Sequence, residues 1–225
     1  MYFRQIRDAA TNALTYLLAD EERREAVVID PLRIQATLIL ALLAERGVRL
    51  RHVLRTHVHQ PARAECGKLC PSTGATLMLG HGSPEDIGGE RVEDGALIHC
   101  GAEVLSVIAT PGHAPGSVCY LWQDRLFCGD TLLIRGSDCV GLDADPGLLF
   151  DSVKQKLFVL PDETLVFPGH DASGRTVSTI GEERRYNADF AQSSREDFVA
   201  AAIKACEPPV LRTKGSRISH GLGAW

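Results

Sequence analysis

Four short segments carry side chains able to hold a metal ion: Thr56-His57-Val58-His59, Gly112-His113, Gly129-Asp130 and Gly169-His170-Asp171. Imidazole and carboxylate together form the nitrogen and oxygen donor set that zinc, iron and similar divalent ions accept. A glycine precedes His113, Asp130 and His170, where it permits a tight turn and close approach of backbone to a site. Asp130 follows the apolar pair Phe127-Cys128 and Gly129. A carboxylate in such a place is costly unless a cation or hydrogen bonds compensate it. We therefore read His57, His113 and Asp130 as metal-site residues. His59 and His170 are read either as direct ligands or as hydrogen-bonding neighbours of ligands, and Asp171 as a group that orients a ligand. A lone histidine is most often a surface or hydrogen-bonded core residue, and His52, His81, His99 and His220 are read that way.

Such residues need a scaffold that ends several strands at one place. Residues 16–18 and 26–29 are short apolar runs on either side of a charged turn, and they predict paired strands. Residues 35–46 carry apolar side chains at helical spacing, with Gly47 as the stop. Residues 50–55 predict a strand that delivers the segment Thr56 to His59. Residues 64–72 predict a helix, 75–79 a strand, and 80–95 a charged, glycine-rich loop. A strand over 102–108 leads to Gly112-His113. Residues 117–122 and 125–128 predict a hairpin around Gln123-Asp124 whose second strand ends on Asp130. A helix over 148–157, a strand over 164–167 ending on His170-Asp171, and helices over 181–187 and 195–205 complete the chain. Strands alternating with helices, with a polar residue at each strand's end, suit an α/β protein whose site sits on loops held by a rigid sheet.

The 225 residues fit one large domain, and no repeat or linker divides them, so residues 1–225 are expected to form a single domain. Residues 208–225 are expected to be a tail, a dimer arm or a site cover. A net charge of −5 without a long basic run gives nucleic-acid binding no electrostatic support. No stretch approaches the ~18 apolar residues of a membrane span. The N-terminus lacks the basic, apolar and small-residue pattern of a signal peptide, so the cytoplasm is the expected location. Seven cysteines without a CxxC pair are expected to be reduced thiols.

The pattern of metal-capable segments resembles the metallo-β-lactamase superfamily. The signature there is Thr-His-x-His-x-Asp-His, then a distant Gly-His, a distant Gly-Asp and a final Gly-His. Further segments resemble one branch, the persulfide dioxygenases (sulfur dioxygenases). They are Phe3-Arg4-Gln5, Thr15-Tyr16-Leu17-Leu18, Glu25-Ala26-Val27, Ile29-Asp30-Pro31, Thr110-Pro111-Gly112-His113, the run from Gly129 to Gly136, Thr176-Val177-Ser178-Thr179 and Glu182-Glu183-Arg184. The resemblance implies a four-layer αβ/βα sandwich with the metal at one edge of two sheets. It implies one Fe(II) per chain, held by His57, His113 and Asp130, and an oxidoreductase of sulfur metabolism. Such an enzyme turns a thiol persulfide and dioxygen into sulfite and thiol. The branch also suggests a homodimer.

Two departures qualify what the resemblance implies. The signature's Asp-His pair is replaced by Pro61-Ala62, whose side chains carry no donor atoms. That pair holds the second metal in relatives such as glyoxalase II, so a two-zinc hydrolase is disfavoured. After Gly136 the branch continues with a Cys-Gly-Arg-Thr-Asp-like segment, where this chain has Ser137-Asp138-Cys139-Val140-Gly141. An arginine there would be a natural clamp for a glutathione carboxylate. The expected substrate is accordingly glutathione persulfide or the persulfide of another thiol carrier. Arg135, Cys139 and Arg184 are the candidates for the substrate region, and Cys139 is a candidate to carry a sulfane sulfur. Two alternatives stand beside the dioxygenase. One is a mononuclear Zn hydrolase of the thioesterase type, with His57, His59 and His113 around zinc and Asp130 adjacent. The other is a divergent member that binds a sulfur carrier without turnover.

Overall fold

The computed structural model describes residues 1–59, 68–139, 143–171 and 173–206. The first half supplies strands β1 (Tyr2–Arg7), β2 (Leu14–Asp20), β3 (Glu25–Ile29), β4 (Arg49–Leu54), β5 (Thr76–Gly80) and β6 (Glu90–Val92). They form one sheet in the order β1-β2-β3-β4-β5-β6. The second half supplies β7 (Leu97–Cys100), β8 (Glu103–Ala109), β9 (Val118–Trp122), β10 (Arg125–Gly129), β11 (Leu165–Pro168) and β12 (Ser178–Thr179). They form the other sheet in the order β12-β11-β10-β9-β8-β7. Helices α1 (Ala36–Arg46) and α2 (Leu69–Thr73) belong to the first half. Helices α3 (Pro146–Ser152), α4 (Ile180–Tyr186) and α5 (Arg195–Cys206) belong to the second.

Period-two side-chain alternation sorts the buried residues into layers. On β2 and β3, Leu17, Ala19, Ala26 and Val28 pack with Ile39, Leu42 and Leu43 of α1. Their neighbours Tyr16, Leu18, Val27 and Ile29 turn the other way, onto Val107, Tyr120, Phe127 and Phe167 of the second sheet. On that sheet's far face, Leu126, Cys128 and Val166 pack with Leu149, Phe150, Ile180, Phe190 and Phe198. The order is therefore helix, sheet, sheet, helix, which is the αβ/βα sandwich expected from the resemblance. Because β2 is buried along its whole length, it is apolar apart from Thr15 and the terminal Asp20 and shows no polar–apolar alternation.

Several elements differ from the sequence reading. Strands β1, β7 and β12 were not among the expected elements. Strand β6 lies inside the stretch expected to be a loop over 80–95. It is only three residues long and pairs in parallel with Met78 to Gly80, so it has too few residues to show a period. The helix expected over 64–72 appears as α2, and the part of that expectation before residue 68 lies outside the described residues. The helix expected over 148–157 starts two residues earlier, with Asp145 capping it by accepting from Leu148 N, and gives way to a π-helical turn at Val153–Leu157. Pro61, Ala62 and the expected tail over 208–225 also lie outside the described residues. Among the described residues, no helix is long and apolar enough to cross a membrane.

Candidate metal centre

Four strands end at one edge of the sandwich, and each delivers one metal-capable segment. Strand β4 leads to His57 and His59, β8 to His113, β10 to Asp130, and β11 to His170. Backbone hydrogen bonds between the two sheets pin this edge: Val118 N donates to Thr56 O at 2.7 Å, and Leu14 N to Gly169 O at 2.8 Å. The Tyr120 hydroxyl, in the layer between the sheets, donates to Arg55 O at 2.9 Å. Two glycines are required here. Gly112 has φ +139°, and a Cβ there would fall 2.2 Å from Leu149 N. Gly129 has φ +52°, and a Cβ would fall 2.2 Å from Thr56 Oγ1. The first lets β8 turn under α3, and the second lets Asp130 approach the Thr56 segment.

The side chains converge. His57 Nε2 lies 3.5 Å and His113 Nε2 3.9 Å from Asp130 Oδ2. His59 Nε2 lies 2.9 Å from His113 Nε2. The three imidazoles meet edge to face, with ring centroids 4.7 Å apart for His57–His113, 4.6 Å for His59–His113 and 5.0 Å for His57–His59. His113 and Asp130 are buried, at 1% and 4% exposure.

Hydrogen bonds on the outer side of each ring fix which nitrogen is bare. Thr56 Oγ1 donates to Asp30 Oδ2 at 2.6 Å, and Thr56 N to Asp30 Oδ1 at 2.9 Å. With its one proton committed to Asp30, the hydroxyl accepts from His57 Nδ1, 3.0 Å away. His113 Nδ1 lies 2.8 Å from the Asp138 carbonyl, which can only accept. Both histidines therefore carry their proton on Nδ1 and turn a bare Nε2 inward, the tautomer a metal requires. His170 Nδ1 donates to both Asp130 oxygens, at 2.8 and 2.9 Å.

Electrostatics agree with this arrangement. Burial, aided by the neighbouring His113 and His59 and opposed by Asp130, pushes His57 down to about 3. Burial and His113 also lower His59. Burial works to raise Asp130, but the His170 hydrogen bond and the charges of His57, His170 and His113 outweigh it and hold the carboxyl below its usual range. The Asp130 hydrogen bond raises His170 against the effect of burial. At neutral pH His57 is therefore a neutral imidazole beside an ionised Asp130 carboxylate, so this pair can bind a cation without first losing a proton. A buried carboxylate facing two bare imidazole nitrogens is a donor set that fits a divalent metal.

The other expected residues are placed less centrally. The Asp171 carboxylate accepts from Ser173 N at 3.1 Å and Ser173 Oγ at 2.6 Å, and no described hydrogen bond joins it to the donors. Arg135 has φ +68°, donates from its backbone N to Glu183 and from its guanidinium to Glu182, and lies over the Tyr186 ring. It braces its loop against α4. Arg184 pairs with Asp162 at 2.8 Å and donates to Leu160 O. Cys139 is buried among Leu149, Phe150, Phe190 and Phe198. It lines a groove of about 320 Å³ with Ser137, Asp189 and Phe198, and none of the metal donors lines that groove. Conversely, Thr56 and Asp138 hydrogen-bond to the donors and Asp30 holds Thr56, and none of the three was read from the sequence as a site residue. In the sequence Asp30 stands within Ile29-Asp30-Pro31, a segment that resembles the branch but has no site role attached, while Thr56 is visible only as a neighbour of His57.

Comparison with known proteins agrees with this architecture. A family model of the metallo-beta-lactamase superfamily matches residues 67–170. The mitochondrial persulfide dioxygenase ETHE1 of Homo sapiens is 38% identical over 204 residues, covering 87% of this chain and 78% of that protein. A hydroxyacylglutathione hydrolase of Anaeromyxobacter dehalogenans is 37% identical, covering 89% of this chain and 73% of that protein. The crystal structure of ETHE1 from Myxococcus xanthus superposes with a TM-score of 0.86 at 40% identity, covering 93% of each chain. The chain belongs to the metallo-β-lactamase superfamily, in the branch of the persulfide dioxygenases, which are oxidoreductase enzymes.

Proposed function

We propose that this protein is a mononuclear non-haem iron dioxygenase that oxidises a thiol persulfide to sulfite and thiol. The observation that carries this is the approach of His57 Nε2 and His113 Nε2 to Asp130 Oδ2, at 3.5 and 3.9 Å. Two histidines and one carboxylate are the set suited to non-haem Fe(II) with open positions. His57, His113 and Asp130 would hold one Fe(II), which when bound supplies a redox centre accessible to dioxygen and to the persulfide sulfur. The overall reaction combines a persulfide, dioxygen and one water into the thiol and sulfurous acid. The outer sulfur gives up four electrons, and dioxygen accepts them. In this scheme Asp30 and Thr56 hold His57, the Asp138 carbonyl holds His113, and His170 keeps Asp130 ionised. The carrier is glutathione persulfide or another thiol persulfide. We further propose that residues 1–225 form one domain and that the protein is a cytoplasmic homodimer. The buried thiols of Cys100, Cys119 and Cys128 suit a reducing compartment.

A second reading, a mononuclear zinc hydrolase of the glyoxalase II or thioesterase type, is favoured by one observation. Donor atoms of His57, His59 and His113 also lie within 4.8 Å of one another. The substitution His59→Ala separates the two. With His57, His113 and Asp130 as ligands, elemental analysis should find about one iron per chain in both wild type and His59→Ala. Zinc in the wild type and none in His59→Ala would establish the hydrolase site instead.

A further inference from the structure

We propose that Asp138 supplies a second carboxylate to the metal site. Donor atoms of His113, Asp130 and Asp138 all lie within 4.8 Å of one another. Donors each about 2.0–2.2 Å from one ion can be at most about 4.4 Å apart, so small side-chain adjustments bring all three onto a shared cation. The Asp138 side chain is half-buried. The backbone of the same residue accepts from His113 Nδ1 at 2.8 Å. Asp138 would thus act twice, orienting one ligand with its carbonyl and adding a ligand with its side chain.

The sequence gives this assignment a chemical reason. Positions 61 and 62 hold proline and alanine, so the signature's own Asp-His pair contributes no side-chain donor. Asp130 alone leaves a bound divalent ion with one net positive charge, whereas Asp130 and Asp138 together neutralise it. A set of two nitrogens and two oxygens also shifts the site toward ions that accept carboxylate oxygen. It leaves one coordination position fewer for exogenous ligands than His57, His113 and Asp130 alone. The proposal rests on the metal-site reading above and not on the dioxygenase activity.

The test is a titration of metal-free protein with Co(II), whose visible absorption reports the number and geometry of its ligands. Asp138→Asn keeps the backbone carbonyl and the side-chain size while removing the charge, and Asp138→Ser serves if that variant folds poorly. Thermal unfolding of the metal-free forms establishes that the fold is retained. The expected result is Co(II) binding weakened by ~10-fold or more, with a changed visible band. Unchanged affinity and an unchanged band in Asp138→Asn, with binding lost in Asp130→Asn, would overturn the proposal alone. Unchanged binding in Asp130→Asn as well would place the ion elsewhere, and the metal-site reading would fall together with it.

Discussion

His57 is held by two groups in series. A carboxylate at Asp30 accepts from Thr56, and the Thr56 hydroxyl in turn accepts from the imidazole. Asp30 is half-buried, and desolvation raises its pKa even though Arg55 and the two Thr56 hydrogen bonds favour the ionised form. Its hold on Thr56 is thus what commits the hydroxyl proton and leaves His57 Nε2 bare. Thr56→Val preserves shape and removes only that hydroxyl. We expect metal affinity to fall by ~10–100-fold in Thr56→Val, as measured by competition with a chelating dye, and to recover in Thr56→Ser. Equal affinity in Thr56→Val and wild type would show that the hydroxyl does not orient the ligand. His57, His113 and Asp130 were legible in the sequence because each follows a recognisable strand end. Asp30 and Asp138 were not, because their relation to the donors is set by folding across 26 and 25 positions. Asp171 and Arg184 show the converse: chemically suitable side chains whose partners in the fold, Ser173 and Asp162, lie outside the cluster.

At the scale of elements, the end of the sandwich opposite the donors is fastened as well. There the Asp20 carboxylate, at the end of β2, accepts from Glu22 N and Arg23 N at 3.0 Å in its own turn. It also accepts from Ala102 N at 2.8 Å in the turn between β7 and β8. Gly101 has φ +63°, and a Cβ there would lie 2.2 Å from Asp20 Oδ2, so the two turns fit only without a side chain. These bonds, those from Ala102 and Arg23 foremost, hold Asp20 below the usual carboxylate range. A carboxyl whose folded pKa lies below its unfolded value stabilises the fold above the unfolded value, and that contribution is lost as pH falls through the folded one. Asp20→Asn should therefore lower the denaturation midpoint of metal-free protein at pH 7, and the difference from wild type should shrink as pH falls below about 4. A difference that stays constant from pH 7 to pH 3 would remove the ionic part of this account. Most strands and helices were legible here from apolar runs and glycine stops. Strand β6 was not, because three residues carry no measurable period, and β7 and β12 are similarly short.

For the whole molecule, the four layers give each sheet one face for the other sheet and one for helices. Both sheets then end their strands on the same edge, where a first-half histidine pair meets a second-half histidine and aspartate. The layer order followed from the resemblance rather than from composition. Strand β2, apolar on both faces, gives no alternation to say which side meets which layer. The central claim is that this edge carries out oxygen-dependent persulfide chemistry. Its most direct test is oxygen consumption by freshly purified, iron-loaded protein given glutathione persulfide, with sulfite measured in parallel and Asp130→Asn beside it. We expect rapid uptake, one sulfite formed per dioxygen consumed, and loss of both in Asp130→Asn. No uptake by iron-loaded wild type with any low-molecular-weight persulfide, or uptake that persists unchanged in Asp130→Asn, would contradict the account.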